Sequence, residues 1–137
     1  MKTATMFLLG LLCAGCTSPK EVADLRGNGT CKTFDAPRAD VWRAAINACR
    51  FGGLQIEGFD AERGYIAAKT PVRMESWGEY VGVWVEAKST NQTEVEVVSR
   101  RRSEPRGLFH YDWEQPILIS IGAELSAEPK TQVQPLR

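Results

Sequence analysis

The sequence predicts an α+β domain: an antiparallel sheet of four to five strands with two helices on one face, in the order β-α-β-β-β-β-α. Three observations predict it. Val41, Ala44, Ala45, Ala48 and Cys49 recur at helical spacing and stop at Gly52-Gly53. The stretches Trp77–Ala87 and Thr93–Ser99 alternate strictly, with Val81, Val83, Val85, Val95 and Val97 on one side and Tyr80, Gly82, Trp84, Glu86, Glu94 and Glu96 on the other. Strands joined by short turns pair antiparallel, and such a sheet buries one face beneath its helices.

Each element has a local cause. Thr30–Phe34 (TCKTF) is a first short strand of β-formers. Asp35-Ala36-Pro37 starts the first helix, because proline loses nothing in a first turn. Trp42 and Ile46 flank its alanine-rich stripe, which allows close approach to a sheet. Leu54–Phe59 alternates as a half-buried strand, Asp60–Gly64 turns the chain, and Tyr65–Thr70 pairs back with Ile66 and Ala68 inward. A loop at Pro71–Ser76 leads to the long hairpin, which turns at Lys88–Gln92. Beyond it Asp112, with Gln115 three residues on, forms a capping-box start for a second helix carrying Trp113, Ile117, Leu118, Ile121 and Leu125. Ile117–Ile121 alone reads equally as a strand; length and capping favour the helix. Pro129–Arg137 has no periodicity and is expected to be a disordered tail.

The front of the chain carries a different signal. Lys2 is followed by the apolar run Met6–Leu12, then Ala14-Gly15 and Cys16. Fifteen residues before Cys16 are too few to span a bilayer, and their order is that of an export leader. Cys13-Ala14-Gly15-Cys16 resembles the lipobox of bacterial lipoproteins, with Cys13 where that family favours Leu. The resemblance implies cleavage before Cys16, acylation of Cys16 and a membrane as partner. Thr17 after it, in place of Asp, resembles lipoproteins of the outer membrane that face the periplasm. The expected organisation is a leader at 1–15, a polar lipidated tether at 16–29, one domain at 30–127 and the tail at 128–137. Over Thr30–Ala127 the element order resembles TATA-binding-protein-like or helix-grip folds, such as those of the BamC family of outer-membrane assembly lipoproteins.

Composition narrows the function. Of 17 basic residues only Lys2 leaves with the leader, so 16 remain against 17 acidic ones, a net charge of −1. So balanced a chain has no general attraction to nucleic acid. With Cys13 removed and Cys16 acylated, Cys31 and Cys49 remain, either joined as a disulfide outside the cytosol or packed as two separate small residues. The one histidine, His110, has no partners at metal-ligand spacing, and no nucleophile elbow or phosphate loop occurs. Glu57, Asp60, Glu62, Glu94 and Glu96 read as a solvated face. No cofactor, metal or catalytic residue is expected.

Two surfaces stand out. Tyr65, Tyr80 and Trp84 fall on the open side of the sheet, as an interaction face or as cross-strand pairs that strengthen it. Arg100, Arg101, Arg102 and Arg106 precede Phe109, Tyr111 and Trp113, a composition suited to anionic headgroups or cell-wall polymers, or to a solvated loop offsetting nearby glutamates. The expectation is a non-enzymatic, membrane-anchored envelope lipoprotein acting as a protein-interaction module with an envelope protein partner. The alternative is a carrier of a small apolar ligand held between helix and sheet.

Overall fold

Seven elements occur in the predicted order: β1 (Thr30–Phe34), α1 (Arg38–Phe51), β2 (Gln55–Asp60), β3 (Tyr65–Lys69), β4 (Glu79–Ser89), β5 (Gln92–Arg101) and α2 (Glu114–Ala127). The structure, a computed structural model, describes residues 23–71, 78–101 and 111–127. Cys16, Arg102, Arg106, His110, the leader and the 128–137 tail therefore lie outside the described residues, as does the side chain of Arg101. The five strands form one sheet in the order β1-β5-β4-β3-β2, with every neighbouring pair antiparallel.

The β4–β5 hairpin is its centre. Val83 stands opposite Val97 and Val85 opposite Val95, and all four are buried on the helix side. Val41, Ala44, Ala45, Ala48 and Cys49 of α1 pack onto them, with Ile117, Leu118 and Ile121 of α2 beside. The alternation and the helical stripe thus close one core. Segment 117–121 is helical, and Asp112 accepts a hydrogen bond from the Glu114 N–H at 2.9 Å. One Glu114 oxygen also accepts from the Ser99 N–H at 3.2 Å and the other from the Thr30 hydroxyl, so a single carboxylate ties the start of α2 to two strands. Pro37 precedes α1 in extended geometry, and Gly52 and Gly53 close it with N–H groups donated to Ala48 and Arg50.

Two expectations are corrected. Cys31 and Cys49 are free thiols and form no disulfide. The pleat of β1 puts Cys31 opposite Glu96 on the open face, exposed, whereas Cys49 is buried in α1 across the sheet. Only Cys49 behaves as the small hydrophobe the alternative described. The second correction concerns 16–29: its last seven residues, Ala23–Gly29, are not free tether but turns that lie on the open face.

Burial pushes the Cys49 thiol up from 9.0 to about 12. The folded state therefore holds this proton more tightly than the unfolded chain. That contribution is complete below pH 9 and is lost as pH rises toward 12. At pH 10 the loss is about 1.4 kcal/mol. Urea midpoints measured at pH 8 and pH 10 should show this drop, and Cys49→Ala should reduce it; an equal drop in that variant would assign it elsewhere. Glycine at 64 gives a second test. Its φ is +69°, and an added Cβ would sit 2.1 Å from the Val85 carbonyl oxygen, whereas at Gly53 (φ +80°) nothing lies within 4 Å. Gly53→Ala should cost about 1 kcal/mol for the left-handed backbone alone. Gly64→Ala should cost clearly more, because the strand pair must also move apart.

Candidate interaction face

The register places Tyr65 opposite Trp84, and Trp84 opposite Glu96. The Tyr65 and Trp84 rings meet at 5.0 Å between centroids, a cross-strand aromatic pair. Burial pushes the Tyr65 hydroxyl up to about 12. Tyr80 lies two same-face positions along, past Gly82, opposite Arg100 on one side and Lys69 on the other. The three aromatics expected on the open face are therefore together on it. They are not open as expected: Trp84 is only 6% exposed and Tyr65 is half-buried.

The cover is the Ala23–Gly29 segment. Leu25, Tyr65 and Tyr80 pack against buried Trp84 and Val98, a second small apolar cluster on the side away from the helices. Glu96 then holds the backbone: one oxygen accepts the Gly27 N–H at 2.6 Å and the Gly29 N–H at 3.1 Å. Two charge-assisted bonds to one carboxylate oxygen are among the stronger contacts available to a surface segment. Arg26 reaches Glu86 at 2.7 Å, a pair of half-exposed side chains that contributes little by itself. Position 29 admits only glycine, since a Cβ there would lie 2.2 Å from the Val97 carbonyl oxygen. Position 27 has φ +92°.

Beside this segment the face opens into a cleft of about 330 Å³ lined by Arg26, Gly27, Trp84, Glu86, Glu94 and Glu96. It lies on the opposite side of the sheet from the helices, so it is not the helix–sheet space that the carrier alternative requires. Lys88 pairs with Glu94 at 3.0 Å. Three carboxylates thus meet two cations, and the cleft is mildly acidic. Cys31, on the same face, has its thiol raised by partial burial and by the charges of Glu96 and Glu94. Among the described residues no group of three His, Cys, Asp or Glu side chains is placed to hold a metal ion. None of the described helices is long and apolar enough to cross a membrane.

Of the basic stretch, Arg100 is exposed at the end of β5, and Arg101 pairs through its backbone with Glu79. The residues of this face that the sequence did not single out are Leu25, Gly27 and Gly29, and Glu96, expected on a solvated face, is instead buried where it accepts their amides. Gly27-Asn28-Gly29 reads as a turn and is one, with the Asn28 N–H donated to Leu25. A solitary leucine in a polar stretch was the available clue to docking.

No protein-family model matches the chain, and no curated protein sequence matches it. Among solved structures it is similar to the di-domain ARO/CYC BexL from the BE-7585A biosynthetic pathway. The identity is 14% and the TM-score 0.46, over 71% of this chain and 43% of that one. The chain thus spans less than half the length of that protein, and a likeness of this size carries no argument about function.

The Glu96 clamp is directly measurable. Removing it in Glu96→Ala should cost the docked segment about 2 kcal/mol. The Gly27 and Gly29 amides should then exchange with deuterium about 30-fold faster, while the amides of β4 and β5 keep their protection. Unchanged exchange at Gly27 would mean that Leu25 alone holds the segment.

Proposed function

We propose that this chain is a non-enzymatic lipoprotein of the bacterial envelope, anchored by acylated Cys16, whose small α+β domain docks an envelope protein. The observation that carries the reading is the order of residues at the front: one positive charge, the run Met6–Leu12, two small residues and Cys16. Features of the domain are consistent with binding in place of chemistry. Glu86 and Glu94 are engaged in ion pairs and Glu96 is bonded to two amides, so these carboxylates are occupied as structural groups. Both described thiols are raised, which makes them poor nucleophiles at neutral pH.

The interaction face that this reading needs is narrower than Tyr65, Tyr80 and Trp84 together, because Leu25 packs against the buried Trp84–Val98 pair. What stays accessible is the acidic cleft beside the docked segment. Its size and charge suit a lysine or arginine side chain of a partner. In the proposed role the segment belongs to the binding surface, as one wall of that cleft.

Cys16→Ser should move the protein from the membrane fraction to the soluble or unprocessed fraction and abolish incorporation of labelled palmitate. Unchanged membrane association would sink the anchor. Cross-linking in intact envelopes should capture a protein partner, and Glu94→Lys should weaken that capture several-fold without altering the thermal midpoint by more than a few degrees. Full capture by this variant would remove the cleft from the interface.

A further inference from the structure

Two neighbouring rows of the open face carry the chemistry of a cation seat. Glu86 stands directly opposite Glu94 in the β4–β5 register, and the next same-face row pairs Trp84 with Glu96. Like charges set opposite each other destabilise a sheet unless a cation joins them. Here each of the two is answered by a cation on a surface side chain, Glu86 by Arg26 at 2.7 Å and Glu94 by Lys88 at 3.0 Å. Arg26 is itself part of the cleft lining, together with Trp84 and the three carboxylates. A guanidinium of the chain's own thus sits where the cleft would take one from outside.

The segment that carries Arg26 is held in two unequal ways. Its backbone is fixed by the buried Glu96 carboxylate, which accepts the Gly27 and Gly29 amides, and Leu25 packs against buried Trp84 and Val98. Arg26 lies between these fixings with about half of its side chain in water, as does the Glu86 side chain it meets. Exposed pairs of this kind separate at little cost, because water screens the charges and the long side chain regains freedom on release. The guanidinium can therefore leave Glu86 while Leu25 and the Glu96 bonds keep the segment docked. Its departure changes the balance from three carboxylates against two cations to three against one.

We propose that Arg26 is an internal competitor for this seat: it occupies Glu86 in the free protein and must swing out before a basic side chain of a partner enters between Glu86 and Glu94. The inference rests on the cleft reading given above and adds a gate to it. The segment serves as a wall through Leu25 and Gly27 and as the gate through Arg26. The test titrates the full chain with a blocked Gly-Arg-Gly peptide at low salt and follows the backbone amide signals of 84–86 and 94–96 by NMR. Arg26→Gln should bind the peptide about three- to fivefold more tightly than the unsubstituted chain, and the gain should shrink at high salt. Adding Glu86→Gln to that variant should cancel the gain. Arg26→Lys, which keeps a cation at Glu86, should bind as the unsubstituted chain does. A gain in the lysine variant as large as in Arg26→Gln would assign the effect to a loosened segment and overturn the gate. Equal or weaker binding by Arg26→Gln also overturns the competition and leaves the cleft reading standing. If neither chain shows shifts at 84–86 and 94–96, the cleft reading falls and the gate falls with it.

Discussion

The pairing of β4 with β5 is the contact on which everything else in this domain depends. Its strict alternation gives the sheet two unlike faces, with Val83, Val85, Val95 and Val97 toward the helices and Trp84, Glu94 and Glu96 away from them. β1 adds to one side of that hairpin and β3 to the other. The helices then have one apolar surface to cover. A shift of one residue in the hairpin would send every valine to the open side and every glutamate under α1, so the register is held by the whole core at once. The small side chains of α1 follow from the same constraint: Ala44, Ala45 and Ala48 let its backbone come close enough to bury the β-branched layer.

The opposite face shows how a half-buried sheet manages apolar residues of its own. Trp84 and Val98 would be left in water by the alternation alone. They are covered by Leu25, and the covering segment is held by Glu96, a carboxylate that is itself 9% exposed. Burying a charged group is costly unless its hydrogen-bonding capacity is used, and here two backbone amides from Gly27 and Gly29 use it. The same seven residues that close this face also shorten the free chain ahead of the domain. The segment is therefore part of the fold and part of the geometry by which an anchor would position that fold.

The Tyr111–Trp113 ring pair, on the helix side, and the acidic cleft beside Trp84, on the open face, are different in chemistry and lie on different parts of the molecule.

Element order, helix limits and the inward set of valines were legible in the sequence because they depend on short-range patterns: period two, period 3.6, a proline at 37 and glycines at 52 and 53. The proposed leader and Cys16 anchor rest on a local pattern of the same kind, an order of charge, apolar run and small residues. The candidate interaction face was legible in part. Alternation put Tyr65, Tyr80 and Trp84 on one side, but exposure depends on what else lies on that side, and no local pattern marks Ala23–Gly29 as its cover. The cysteines failed in the same way. Eighteen residues of separation suited a loop closure, yet whether two thiols meet is decided by which side of the pleat Cys31 takes and which face of α1 carries Cys49. The sequence by itself determined the elements, their order and the core side of each. Only the tertiary structure decided that a leucine ahead of the domain closes the second face, that the thiols stay apart, and that Trp113 comes to lie beside Gly52, because each depends on residues that no local periodicity relates.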